Sequence, residues 1–194
     1  MISNYCYIPI KYLGLPLSIW QLKRVDFQPL EDKMGGKLVT WGGKNINVAG
    51  RGTLIKSVLT SQATFHLTPL LIPPVCLANM KRIERAFLWA GTREVTGGKC
   101  KVNWEVVCRP TKLGGLGILH LEKFARALRL RWPWHEWTAP EKLWVGMGTP
   151  CDSVDMDLFY ASTTISIGSG NIAPFWESPW LNGRKPKDIA PLIF

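Results

Sequence analysis

The stretch "TLIKSVLTSQATFHLTPLLIPPVCLANMKRIERAFLWAG", Thr53 to Gly91, carries two apolar patterns of helical period separated by prolines. In its first half Leu54, Val58, Gln62 and Phe65 fall on one stripe with Ile55 and Leu59 beside it, which predicts an amphipathic helix from about Thr53 to His66. Pro69, Pro73 and Pro74 close that helix and open another, because proline is tolerated at a helix start and not in its interior. In the second helix Cys76, Met80, Ile83, Phe87 and Ala90 form the apolar face, and Lys81, Arg82 and Arg85 lie off it.

Upstream, a helix is predicted to begin near Asp26 as N-cap, with Pro29 in its first turn and Phe27, Leu30, Met34, Leu38 and Trp41 as its apolar positions. Gly35 and Gly36 inside it cost about 1 kcal/mol each relative to Ala, so this helix needs tertiary support. "GGKNINVAGRG" (Gly42 to Gly52) reads as a loop, and "IKYLGLPLS" (Ile10 to Ser18) as a short extended segment stopped by Pro16. Three helices with short, proline-punctuated connections predict a small bundle.

Downstream, the chain loosens from Gly91 to Gly98. "KLGGLGILHLEKFARALRLRWPW" (Lys112 to Trp134) then turns tightly on its glycines and enters a helix that Pro133 is expected to end. Leu121, Phe124, Ala125, Leu128 and Trp132 share one face of that helix, with Lys123, Arg126 and Arg129 on an adjoining arc. After Pro140, "TTISIGSGNIAPFW" (Thr163 to Trp176) alternates around Gly168 to Asn171, a β-hairpin signal. The expected fold is mainly α: a small helical bundle, a connector helix, and a short β-hairpin module near the C-terminus.

The 194 residues are 46% hydrophobic, a globular composition. The longest apolar run, "LTPLLIPPVCLANM", is cut by three prolines and falls short of the ~20 residues a membrane span needs. The start, "MISNYCYIPIK", lacks the pattern of a signal peptide. Five cysteines at irregular spacing suit a reducing, intracellular setting, cytoplasm or nucleus. Net charge is +10 and unevenly spread: residues 1–135 carry 20 Lys/Arg against 7 Asp/Glu, and residues 136–194 carry 4 against 7. A concentrated positive field attracts polyanions, so nucleic acid is the favoured partner and a merely basic surface the alternative.

Motifs of chemistry are sparse. "GRGTLIKS" (Gly50 to Ser57) misses the phosphate-loop pattern because Ile55, not glycine, precedes Lys56. "GSGNIA" (Gly168 to Ala173) is followed by Pro174 and opens no helix, so no dinucleotide fingerprint is formed. Cys100, Cys108, His120 and His135 lack the close ligand pairs of structural zinc, and no metal or other cofactor is expected. Asp155 and Asp157 read as a solvated turn. Trp134 and Trp137, behind the arginine-bearing helix, are weighed as stacking platforms for bases against the commoner role of tryptophan in cores.

Several blocks together resemble the post-catalytic part of plant LINE-type non-LTR retrotransposon reverse transcriptases. They are "YLGLPLS" (Tyr12 to Ser18), "AGRGTLIKSVLTSQATFHLTPLLIP" (Ala49 to Pro73), "IERAFLWAG" (Ile83 to Gly91), "KVNWEVVCRPTKLGGLGILHLEKFARALRLRWPW" (Lys101 to Trp134) and "GNIAPFWESPWLNG" (Gly170 to Gly183). The resemblance implies a palm-edge remnant at 1–18, a thumb-like bundle at 19–92, a connector with the basic helix at 93–140, and the start of a zinc-binding reverse-transcriptase domain at 141–194. The family's paired catalytic aspartates do not occur in this sequence, nor does the Cys/His cluster of its zinc domain, so the chain resembles a part that does not polymerise alone. His120 stands where Asn or Asp would be expected as helix cap.

In such a polymerase, basic helices beside the thumb hold nucleic-acid backbone without reading sequence. The candidate contacts are Arg51, Lys56, Lys81, Arg82, Arg85, Lys123, Arg126 and Arg129. Arg51 lies within a motif-like block, and the others follow from helical face. A solvated charged face is the alternative for each. For the chain as a whole, the competing readings are the residual product of a decayed element without selected activity, and a helical module binding a protein partner. The remainder of a reverse transcriptase is a further partner that the resemblance suggests.

Overall fold

The structure is a computed structural model that describes residues 10–18, 21–95, 98–171 and 173–193. Cys6 and the first half of the expected palm-edge segment lie outside the described residues. The chain divides into two compact units, Met1–Leu128 and Arg129–Phe194.

The first unit opens with an antiparallel hairpin, β1 (Ile10–Tyr12) paired with β2 (Leu15–Leu17). The segment read as a single extended run folds back on itself because Leu13 and Gly14 both take positive φ, the twist a two-residue hairpin turn requires. Pro16 does not stop it. It pairs with Lys11 in a sheet of two edge strands, where a missing N–H is tolerated.

Helix α1 (Arg24–Thr40) starts two residues before the predicted cap, and Asp26 acts from inside the first turn by accepting the Lys23 backbone N–H at 2.7 Å. Pro29 is therefore the helix's sixth residue and leaves the Val25 carbonyl without its usual partner, at a residue 67% exposed. Phe27, Leu30, Met34 and Leu38 are buried as their spacing predicts. Gly35 is tolerated for a packing reason: a β-carbon there would stand 2.8 Å from the Arg93 guanidinium, which crosses the helix to reach Asp32 at 3.1 Å.

The next helix begins inside the expected loop. Asn47 accepts the Gly50 N–H at 2.7 Å and caps α2 (Val48–Leu54), which continues through a π-helical turn (Ile55–Leu59) into α3 (Thr60–Leu67). The buried stripe is Ile55, Leu59, Ala63 and Leu67, whereas Phe65 of the predicted stripe is 50% exposed. The π turn holds more residues than an α turn, so its lag offsets the lead of the following α turns. Residues four apart then stay on one face.

Helix α4 (Pro74–Ala90) runs from proline to glycine as predicted, with Pro73 as cap and Gly91 at φ 68°. Gly91 also meets Gly43: a β-carbon on it would stand 2.5 Å from the Gly43 carbonyl oxygen, so the two backbones close the unit only without side chains. Cys76, Leu77, Met80, Ile83, Phe87 and Leu88 pack on α1 and on the α2–α3 helix, and Trp104, Val107, Ile118, Leu121 and Ala125 extend the same core. Trp104 and Val107 belong to the short α5 (Trp104–Val107); Leu121 and Ala125 belong to α6 (Leu121–Arg129). The glycine turn between them is tied back on α5 by Leu116 N–H to Val107 C=O and Gly117 N–H to Arg109 C=O, both 2.9 Å.

In the second unit, α7 (Arg131–Thr138) and α8 (Ser153–Ser162) are joined by turns, and α9 (Pro186–Ile189) follows. Pro133 does not end a helix. The break falls at Leu130, and Pro133 sits buried in the first turn of α7, where its missing N–H has no helical partner to lose. The hairpin expected at Thr163 to Trp176 is not formed by the described residues there. Instead Ile165 and Ile167 line a cleft of about 480 Å³ with Trp137 and Pro140. An isolated antiparallel bridge, Leu181 to Arg184, closes the Asn182-Gly183 turn. The fold is thus mainly helical with its hairpin near the N-terminus, and no helix of the described residues is long and apolar enough to cross a membrane.

Each unit holds a fully buried carboxyl group. Asp155, read as part of a solvated turn, is fully buried in the first turn of α8 and forms a two-pronged pair with Arg129, Nε to Oδ2 at 2.6 Å and Nη2 to Oδ1 at 3.0 Å. In the first unit, Glu84 is fully buried on α4, accepts the Thr60 hydroxyl at 3.3 Å through Oε1, and has no partner for Oε2 among the described residues. Burial pushes the Glu84 carboxyl up to about 8, against a smaller opposing pull from Thr60.

Glu84 is neutral in the folded chain at neutral pH and ionised in the unfolded one. Its contribution to stability is present in full below about pH 4.5 and is lost as pH rises toward about 8. The stability of the parent against urea should therefore fall between pH 5 and pH 8, relative to Glu84→Gln, by on the order of a few kcal/mol. Parallel pH profiles would contradict this. Arg129→Met leaves Asp155 buried without a counter-charge and should destabilise the chain by about 3–5 kcal/mol in urea denaturation, with partial recovery in Arg129→Met/Asp155→Leu. A single variant as stable as the parent would show that the pair does not matter.

Candidate nucleic-acid interface

The basic character belongs to the first unit, which holds 18 Lys/Arg against 7 Asp/Glu, while the second holds 6 against 7. The packing of α4 decides where that charge goes. With Cys76, Met80, Ile83 and Phe87 turned into the core, Arg82 and Arg85 emerge exposed and Lys81 half-buried. On α6, Leu121 and Ala125 are buried, and Lys123 extends into solvent with its side chain 76% exposed.

Between these helices stands Glu105, which no motif or helical face in the sequence singles out. Asn103 caps α5 by accepting the Glu105 N–H at 2.9 Å, and the buried Trp104 and Val107 anchor that single turn, which leaves Glu105 exposed. Its Oε1 accepts from His120 Nε2 at 2.7 Å and lies 3.9 Å from Lys81 Nζ, and its Oε2 accepts from Lys123 Nζ at 3.3 Å. The His120 hydrogen bond is the main cause, with the neighbouring positive charge, that holds the Glu105 carboxyl below the usual carboxylate range. His120 is thus no side-chain cap for α6. Its carbonyl accepts the Phe124 N–H at 2.8 Å, while its ring reaches back to α5.

A cleft of about 330 Å³ opens beside Glu105, lined by Lys81, Arg85, Lys101 and Asn103, with Cys100 accepting from Arg85 Nε at 3.1 Å. Lys56, exposed on the π turn, brings its ammonium beside the glycine turn before α6, 3.7 Å from where a β-carbon of Gly117 would stand. The structure therefore brings Lys81, Arg85 and the unpredicted Lys101 to one cleft, ties Lys123 to the Glu105 carboxylate on its wall, and sets Lys56 at the turn that leads into α6.

Three predicted contacts are placed differently. Arg129 is 4% exposed and spends its guanidinium on Asp155, because Leu121, Ala125 and Arg129 are four residues apart and share the buried stripe of α6. It is withdrawn from the candidate interface. Arg51 is half-buried and turns inward, donating from Nε to the Ile46 carbonyl at 3.0 Å and from Nη1 to the Phe87 carbonyl at 3.3 Å, where it clamps the C-terminal end of α4. Arg126 is half-buried and already partnered. Trp137 packs edge-on against Phe159 with ring centres 4.7 Å apart, while Trp134 is 50% exposed. Burial raises the thiols of Cys76 and Cys108 to about 11, so neither is a thiolate at neutral pH.

No protein-family profile matches the chain, and no solved structure matches it. Over 130 residues the chain is 29% identical to a protein of Arabidopsis thaliana named "Putative ribonuclease H protein". The matched region covers 67% of this chain and 21% of that protein, so the chain spans about a fifth of the relative's length.

Proposed function

We propose that this chain is the thumb-and-connector portion of a plant retroelement reverse transcriptase and that it holds nucleic-acid backbone without reading sequence. The observation that carries the reading is one cleft of a strongly basic unit lined by Lys81, Arg85 and Lys101, with Lys123 bound to the Glu105 carboxylate on its wall. Ammonium and guanidinium groups held on α4, on α6 and on the segment before α5 suit phosphates, which position a duplex and carry no sequence information. The similarity to a plant protein named for ribonuclease H supports a retroelement setting, since that name denotes action on nucleic acid.

In this reading the residues before 19 continue a palm edge, residues 19–92 act as thumb, 93–140 as connector, and the remainder leads into a zinc-binding domain. The chain itself supplies no polymerase carboxylates, and the parent activity is RNA-directed DNA polymerisation by the rest of the enzyme. Its partners are a template–primer duplex, of DNA, RNA or both, and that remaining enzyme.

The test is duplex binding followed by fluorescence anisotropy across a salt series. The log–log slope should be near −0.9 for each phosphate neutralised. Replacing Lys56, Arg82 and Arg85 together by Ala should flatten it by about two to three and weaken binding about tenfold or more at 100 mM salt. A Lys142→Ala control in the second unit should change neither. A flat salt response, or no binding at 50 mM salt, would refute the proposal.

A further inference from the structure

We infer that Glu105 occupies a phosphate subsite of this chain, acting as a built-in competitor that phosphate-class anions must displace. The inference deepens the backbone-binding reading and rests on it for its polynucleotide arm. Three donors from three parts of the chain converge on this one carboxylate: Lys81 from α4, His120 from the segment before α6, and Lys123 from α6. A phosphate presents the same acceptor oxygens as a carboxylate, with one more of them and greater charge.

The fit between Glu105 and its partners is loose where a ligand would gain. Lys81 Nζ stands 3.9 Å from Oε1, beyond hydrogen-bond distance, so its donors are not used up by this carboxylate. The Glu105 side chain is 48% exposed and lies on the wall of the open cleft that Arg85 and Lys101 also line, so an anion has a path to it and further cations to meet. The anchors of α5, Trp104, Val107 and the Asn103 cap, hold the backbone without the carboxylate. Glu105 can therefore swing out while the cluster stays in place.

His120 makes the subsite more than a pair of lysines. Its side chain is only 10% exposed, Nε2 donates to Glu105, and Nδ1 is buried with no partner among the described residues. A carboxylate only accepts, so the ring carries its proton on Nε2, aimed at the anion position. Once Glu105 leaves, this N–H is a fixed donor for a phosphate oxygen. Two ammonium groups supply the charge, and the imidazole supplies direction.

The test compares the parent, Glu105→Gln, and Glu94→Gln, which removes the same charge from an exposed residue outside the cluster. Glu105→Gln should bind duplex about tenfold more tightly at 100 mM salt, with a log–log slope steeper by about one to two, whereas Glu94→Gln should keep the parent's slope. Inorganic phosphate should shift the His120 ring resonances of Glu105→Gln at lower concentration than those of the parent. Equal affinities and slopes in all three proteins, with no His120 response to phosphate, would overturn the subsite and leave the backbone-binding reading intact. A His120 response without duplex binding by any variant would support the subsite and defeat that reading. Lys123→Ala removes an exposed side chain and so guards against misfolding of Glu105→Gln: it should weaken the parent's phosphate response, and an unchanged response would count against the inference.

Discussion

Helix α4 has an apolar face broad enough to touch α1, α2 and the π turn at once, and the burial of that face constrains most of what the first unit presents to solvent. Met80, Ile83 and Phe87 cannot leave the core without exposing large apolar surfaces, at roughly 1.5–3 kcal/mol each. With them fixed, the rotation of the helix is fixed, and Lys81, Arg82 and Arg85 have one direction in which to point. The same constraint sets the helix ends. Gly91 meets Gly43 backbone to backbone, and Arg51 is drawn inward to the Phe87 carbonyl, so one of the apparent surface cations serves the fold instead.

Electrostatics is then layered on that scaffold in two ways. Deep in each unit, one carboxylate is neutralised by its surroundings: Glu84 by protonation and Asp155 by Arg129. Near the surface, Glu105 keeps its charge, and basic side chains from separate elements collect around it. Exposed pairs of this kind contribute little to stability. What they provide is an arrangement of cations that a stronger anion would meet already assembled.

The parts of this fold legible in the sequence are those governed by local rules. α4 is bracketed by Pro73, Pro74 and Gly91, and its apolar period is clean. The core positions of α1 follow from spacing alone. The failures have physical causes as specific. Asn47 caps a helix inside a stretch so rich in glycine that it read as loop. The π turn at Ile55–Leu59 keeps Ile55, Leu59, Ala63 and Leu67 on one face, a run of fours that an α-helical wheel spreads around the helix. Arg129 pairs with a carboxylate 26 residues away, and nothing near it in sequence announces that partner. Glu105 gains its place from three partners distant in sequence, so the centre of the candidate site was invisible while several of its cations were not.

Covalent footprinting of lysines tests the central claim most directly. Acetylation of the chain with and without a bound duplex, read by mass spectrometry at low salt, reports which ammonium groups the ligand covers. Protection is expected at Lys56, Lys81, Lys101 and Lys123, with Lys142 and Lys187 as reactive as in the free protein. Protection spread evenly along the chain, or concentrated at Lys142 and Lys187, would contradict the claim.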